Sequence, residues 1–265
     1  MTPSYKDLCL FTCEIAHSAG IFMAEERKNF DSTKIENKGL HDLVSYVDRA
    51  SEERIICGLQ MLLPESGFIA EEGTNSRRGE RYNWVIDPLD GTTNFIQGVP
   101  LYAVSIGLLD GDELVLGVVY EVGRDECFYA WKDGGAYLNG AAIRVSDRND
   151  VHDALLATGF PYSDFSRINE YLEFLKWTMT NARGVRRLGS AATDLAYVAC
   201  GRFDAFWEYD LKPWDVAAGA LIVKEAGGVV TDYKGGNNYL FGKEIVASNG
   251  LLTEPIMTKI KEFNP

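Results

Sequence analysis

Asp87-Pro88-Leu89-Asp90-Gly91-Thr92-Thr93-Asn94-Phe95 decides how this chain is read. The apolar run ahead of it, Asn83-Trp84-Val85-Ile86, is rich in β-branched and aromatic residues and predicts a buried strand. Pro88 brings no N–H to a central ladder, so the strand is expected to end at Asp87. Asp87 and Asp90 then share a tight turn, with the Leu89 carbonyl able to point the same way. Gly91 allows close backbone approach to a ligand, and Thr92, Thr93 and Asn94 offer caps and N–H groups for an anion. An Asx-rich turn explains Pro88 and Gly91 but not so many hard oxygen donors in one short stretch. The pattern fits a place where a divalent metal meets phosphate.

The composition narrows the partners. At 265 residues the chain can form one large domain or two halves sharing a core. A hydrophobic content of 46% and a charged content of 25% suit a soluble globular protein. The formal net charge of −13 argues against nucleic acid or an anionic membrane surface as the main partner. It also disfavours phosphorylated substrates unless bound cations reverse the local field, so a metal is expected. Lys6, Asp7, Glu14 and His17 interrupt any signal-peptide core, and no run approaches the ~20 apolar residues of a membrane span. Cys9, Cys13, Cys57, Cys127 and Cys200 have no C-x-x-C spacing and read as reduced, mostly buried thiols of a cytoplasmic protein. The histidines, His17, His41 and His152, are unmatched, so a hydrolytic centre has to rest on carboxylates and magnesium rather than zinc.

Taken in order, the chain predicts a helix over 5–28 with Leu8, Phe11, Ile15, Ala19 and Phe22 on one stripe. A polar connector follows over 29–39, then a helix over 44–63 with Asp48 in its first turn, stopped by Pro64. A short strand, Gly67-Phe68-Ile69-Ala70, ends at Glu71 and Glu72, and a loop spans 73–81. Three strands of a meander follow over 102–109, 113–122 and 126–131, and two turns over 134–140 close this half. In the first of these strands Tyr102, Val104, Ile106 and Leu108 alternate with Ala103, Ser105 and Gly107, so the small face suits a helix lying close. From Ala154 onward strands (155–160, 185–188, 202–209, 229–232, 245–248) alternate with helices (164–180, 191–200, 213–226, 251–263), which implies crossover units. The expected class is α/β (α+β), with sub-domains 1–150 and 151–265 forming one functional unit.

Several segments together resemble the inositol monophosphatase family. They are Phe68-Ile69-Ala70-Glu71-Glu72, Trp84 through Phe95, Val118-Val119-Tyr120, Arg187-Leu188-Gly189-Ser190-Ala191-Ala192 and Pro213-Trp214-Asp215-Val216-Ala217-Ala218-Gly219. The resemblance covers nearly the whole chain. It implies a layered α-β-α-β-α sandwich, a homodimer and two to three Mg²⁺ ions per active site. Carried over residue by residue, it makes Glu71, Asp87, the Leu89 carbonyl, Asp90 and Asp215 the metal ligands. Asp48, Thr92 and Glu71 position the attacking water, and Gly91 and Thr92 hold the phosphate. Ala191, Glu208 and Asp215 contact the polyol, and Asp90 faces the substrate as well as the metal. Ser45 stands where many relatives carry Thr, and Asp210 replaces a common Gly, adding negative charge on the polyol side.

The resemblance implies hydrolysis of myo-inositol monophosphate and related polyol phosphates, with lithium sensitivity. Other substrates occur on related scaffolds: fructose 1,6-bisphosphate, NADP, histidinol phosphate and nucleotide 3′-phosphates. Thr93 favours the inositol branch, since enzymes for 3′-phosphoadenosine and histidinol phosphate tend to carry Lys there. A non-catalytic interaction role is a further reading, and it does not require five clustered oxygen donors. Phosphomonoesters hydrolyse so slowly unaided that a catalyst has to neutralise the dianion and supply a nucleophile, which suits a carboxylate-and-metal centre.

Overall fold

The computed structural model of the protein describes residues 3–30, 35–37, 43–75 and 77–263. The first half contains α1 (Tyr5–Lys28), β1 (Ile35–Asn37), β2 (Leu43–Ser45), α2 (Tyr46–Leu62), β3 (Gly67–Ala70), β4 (Tyr82–Asp90) and α3 (Thr92–Gln97). A run of strands follows: β5 (Ala103–Asp110), β6 (Glu113–Glu121), β7 (Glu126–Trp131), β8 (Ala136–Leu138) and β9 (Ala141–Ile143). The second half contains β10 (Leu155–Thr158), α4 (Ile168–Asn181), β11 (Gly184–Arg186), α5 (Ala191–Ala199) and β12 (Ala205–Tyr209). It ends with α6 (Pro213–Glu225), β13 (Val229–Thr231), β14 (Glu244–Ser248) and α7 (Thr253–Phe263).

Strands β3 to β9 form a seven-stranded sheet in chain order, antiparallel except for the parallel pair β3–β4. A five-stranded sheet has the order β11-β10-β12-β14-β13. Its β10 pairs in parallel with both β11 and β12, the crossover units expected from the alternating pattern. Helices α1 and α2 cover one face of the large sheet, α5 and α6 fill the space between the sheets, and α4 and α7 cover the outside of the small sheet. The layers therefore run α-β-α-β-α, as the resemblance implied.

The alternation along β5 sets this order. Val104, Ile106 and Leu108 pack with Trp84, Ile86 and Leu59 beneath α1 and α2. The small face receives α6. A Cβ at Gly107 would lie 3.0 Å from the Ala217 Cβ, and one at Gly117 only 2.5 Å from the Ala218 carbonyl. Ser105 Oγ donates to the Trp214 carbonyl at 3.0 Å. The N-terminus of α6, which carries Asp215, is thus fixed directly on the large sheet.

Several expectations need correction. Strand β4 does not stop at Asp87 but runs to Asp90: Asp87 pairs with Ser105, Asp90 pairs with Ala103, and the register shifts between them. Pro88 therefore sits in a bulge, where its missing N–H interrupts no regular ladder. The buried stripe of α1 is Leu8, Cys9, Thr12, Ala16, Ala19, Gly20 and Met23, whereas Phe11 is 58% exposed. By length and mean hydropathy α1 is long and apolar enough to cross a membrane, contrary to the expectation that no such run exists. In the fold it packs on α2 and β6.

Helix α2 begins at Tyr46, preceded by β2 paired with β1, and most of the expected connector lies outside the described residues. The 134–140 segment is more than two turns, because β8 and β9 add a hairpin to the sheet. Helix α4 starts later than expected, after a loop at 159–167 that lines the site. Of the cysteines only Cys9 is fully buried, and Cys57 is exposed.

Candidate active site

Five elements end around one cavity of about 520 Å³. Glu71 follows β3, Asp87 and Leu89 lie in the β4 bulge with Asp90 at the strand end, and Glu208 lies near the end of β12. Ala191 opens α5 and Asp215 opens α6. All seven line the cavity together with Gly91 and Thr92. Asp48, in the first turn of α2, is 1% exposed and stands behind Thr92, whose Oγ1 donates to Asp48 Oδ1 at 3.1 Å and to the Leu89 carbonyl at 3.0 Å. The structure therefore brings all the residues singled out in the sequence into one neighbourhood.

Local conformation explains the convergence. Gly91 has φ +101°, a left-handed conformation that turns the chain from β4 straight into α3. Asn94 Nδ2 donates to the carbonyls of Leu101 and Leu188 at 2.8 and 2.9 Å, tying this turn to the segment ahead of α5. Ser190 caps α5 through Thr193 N–H, and Ser190 Oγ also donates to Asp90 Oδ2 at 2.8 Å. Ala192 N–H donates to the same oxygen at 2.7 Å. Asp87 Oδ1 accepts from Leu89 N–H at 2.9 Å, and Asp215 Oδ2 accepts from Lys212 N–H at 2.7 Å, closing the first turn of α6.

The electrostatics are one-sided. Burial, then repulsion from Asp215, pushes the Glu71 carboxyl well above the usual range. Burial, then Glu71, Asp90 and Asp215, does the same to Asp87. Asp90 is pushed up to about 6, burial outweighing the donors from Ala192 and Ser190, and Asp215 to about 7 by burial and then Asp90. Because Glu71 raises Asp87, the two carboxyls cannot both carry full charge cheaply without a cation between them. These four acids and the Leu89 carbonyl offer only hard oxygen donors, with no His or Cys among the described residues of the cavity wall. That donor set and its unbalanced charge fit Mg²⁺. As the side chains stand, no group of three His, Cys, Asp or Glu among the described residues is in ligating array.

The structure adds residues that the sequence did not single out. Glu52, fully buried one turn after Asp48, accepts from Glu72 N–H, Thr74 N–H and Thr74 Oγ1 at 2.8, 2.8 and 2.6 Å. It clamps the loop that carries Glu71. The i,i+4 spacing to Asp48 was a usable signal. Asp194 and Gly159 line the cavity and carry no motif signal of their own. Arg187, within a quoted segment but given no role there, donates to Tyr162 Oη at 2.6 Å on the same wall.

Asp210 does not act simply as extra negative charge. With φ +69° it accepts the N–H groups of Tyr162, Ser163 and Asp164. Although burial raises its pKa, these bonds hold it below the usual carboxylate range. Asp210 thus shapes the loop that lines the site. Lys212 lines the cavity as well. The side chain of Ser45 lies outside what is described.

Similarity to known proteins extends over nearly the whole chain. The Nus factor SuhB of Pseudomonas aeruginosa is 43% identical over 255 residues, covering 94% of both chains. The inositol-1-monophosphatase of Mesorhizobium japonicum is 39% identical over 250 residues, again covering 94% of both. The crystal structure of the extragenic suppressor protein suhB from Bartonella henselae superposes with a TM-score of 0.90 at 39% identity, covering 95% of this chain and 97% of that one. Residues 5–264 match the inositol monophosphatase family, and the chain belongs to it.

Proposed function

We propose that this protein is a magnesium-dependent phosphomonoesterase that hydrolyses myo-inositol monophosphate and related polyol phosphates to polyol and phosphate. The observation that carries this reading is the meeting of Glu71, Asp87, Asp90 and Asp215 on one cavity wall, with Glu208 on the same cavity. Glu71, Asp87, Asp90, Asp215 and the Leu89 carbonyl would hold two to three Mg²⁺ ions. When bound, these supply Lewis acidity toward the phosphate and lower the pKa of water.

The chain's own groups do the rest. Thr92 Oγ1, aligned by Asp48, orients the attacking water, with Glu71 beside it. The Gly91 and Thr92 amides hold phosphate oxygens at the start of α3. Glu208, Ala191 and Asp215 receive the alcohol, and the cavity walls limit access of bulk water. The M. japonicum relative named inositol-1-monophosphatase supports this choice of substrate. The same reading makes the protein a cytoplasmic homodimer with two sub-domains, 1–150 and 151–265.

A second reading adds an interaction role beside catalysis, favoured by the relatives named Nus factor. It would use the outer surface and survive loss of catalysis.

The deciding experiment is phosphate release from a panel of metabolite phosphates with and without Mg²⁺. Inositol monophosphates should lead the panel, chelation should abolish turnover and added Mg²⁺ should restore it. Full turnover in metal-free buffer would sink the mechanism. A clear preference for fructose 1,6-bisphosphate, NADP or histidinol phosphate would replace the substrate.

A further inference from the structure

We infer that Asp194 is a specificity-determining residue whose carboxyl, beside Glu208, accepts hydroxyl groups of the substrate's polyol. The inference rests on the proposed substrate and extends it to a residue outside the family segments quoted above. Asp194 lies in the first turn of α5, is 1% exposed, and lines the cavity. Its Oδ1 has no hydrogen-bond partner. A buried carboxyl oxygen without a donor is costly, and the fold does not need it as a cap, because Ser190 Oγ already receives Thr193 N–H.

Glu208, 5% exposed, lines the same cavity, and after burial itself repulsion from Asp194 is the largest influence pushing its carboxyl up. Gly159 makes room for it: a Cβ there would come within 2.0 Å of the Glu208 carboxyl. Two buried carboxyls therefore line the same cavity, on the α5 and β12 side of it.

Arg187 decides between a polyol and an amine. Its guanidinium lies on the same wall, bonded to Tyr162 Oη and 5.2 Å from the Phe160 ring centroid. An ammonium group would meet that cation as well as the carboxyls. A sugar-like hydroxyl can donate to a carboxyl and accept from a guanidinium, so a wall carrying both suits a polyol.

The test uses full-length Asp194→Ala and Asp194→Asn variants with saturating Mg²⁺, assayed on myo-inositol 1-phosphate and on p-nitrophenyl phosphate. With the alanine variant, kcat/KM for the inositol ester should fall about tenfold or more, chiefly through KM, while the aryl ester stays within about twofold. Asparagine keeps one acceptor and should lose less. Equal losses on both substrates, or none on either, would overturn the assignment. If the alanine variant does not fold, asparagine decides: a selective loss of about threefold or more on the inositol ester supports the inference, and no selectivity overturns it. A wild-type protein that shows no preference for the inositol ester removes the substrate reading and this inference together. A wild-type preference kept intact by both variants removes the inference alone.

Discussion

Replacing Asp90 by Asn should raise the stability of the metal-free protein while abolishing its activity. The Asp90 carboxyl opens onto the cavity yet lies deep in the fold, and its pKa is pushed from the ordinary 3.8 up to about 6. An acid raised in this way binds its proton more tightly in the folded state. Stability is therefore full below about pH 4 and is lost as pH climbs through about 6. At pH 7.5 the charged group costs up to about 3 kcal/mol, at ~1.4 kcal/mol per pKa unit. Water in the cavity screens part of that cost, and the bonds from Ser190 and Ala192 lose their charge assistance in the variant. A net gain of about 1–2 kcal/mol remains, which is a melting temperature higher by roughly 2–6 °C. The assay is thermal unfolding in chelator at pH 7.5 and pH 4.5, then at pH 7.5 with added Mg²⁺. The gain should be present at pH 7.5 and shrink to about a third of that value at pH 4.5. Mg²⁺ should stabilise the wild type more than the variant, and kcat should fall at least about a hundredfold. If Asp90→Asn instead melts lower at pH 7.5 without metal, the carboxyl is held by its two donors and not strained by its charge, and the argument fails.

Glu208→Gln should cost roughly 1.5–3 kcal/mol in kcat/KM for a polyol phosphate and leave an aryl phosphate nearly unchanged. Equal loss on both substrates would place Glu208 in the metal centre or the fold. Glu52→Gln should weaken Mg²⁺ binding by about tenfold by loosening the loop that carries Glu71, with little change in KM once Mg²⁺ saturates; calorimetric metal titration checks it. Gly117→Ala should cost about 1–3 kcal/mol of stability, since the added methyl meets the Ala218 carbonyl at 2.5 Å, and it should reduce Mg²⁺ affinity through α6. Unchanged melting would mean that α6 sits less tightly on the sheet than these contacts require. Excess Ca²⁺ should inhibit turnover, because it accepts looser geometry at the same carboxylates.

Much of this architecture was legible because the relevant signals are local. The alternation of bulky and small residues along 102–109 encodes both faces of β5, including the close approach of a helix. Glycines and prolines punctuate the chain strongly enough to separate the second-half elements. The extension of β4 to Asp90 was not legible. A proline normally ends a central strand, and only pairing with Ser105 and Ala103 on the neighbouring strand makes a bulge the better solution. The buried face of α1 was misjudged for a related reason: the small residues Ala16, Ala19 and Gly20 face the sheet, and the larger Phe11 points outward. Close packing against β6 selected for size at those positions, where hydrophobicity alone pointed elsewhere.

The candidate site divides along the same line. Its carboxylates could be found in the sequence because each follows a recognisable strand end or helix start: Glu71 after β3, Asp87 and Asp90 around Pro88, and Asp215 after Pro213. Asp194 and Gly159 could not, and Glu52 carried only its i,i+4 spacing to Asp48, because their roles exist only between elements. Asp194 reads as an ordinary first-turn helix acid until its unpartnered oxygen is seen on the wall shared with Glu208. Glu52 reads as a helix-surface charge until the 72–74 amides are seen closing on it. The groups expected to bind phosphate and metal thus cluster along short stretches of chain, where spacing reveals them. Those that would choose the alcohol come from α5, β12 and the loop after β10, and only the packing of the small sheet against the central helices brings them together. A change of substrate within such a scaffold is therefore expected to leave the Asp87-to-Thr92 stretch intact and to fall on residues such as Asp194, which no short motif marks.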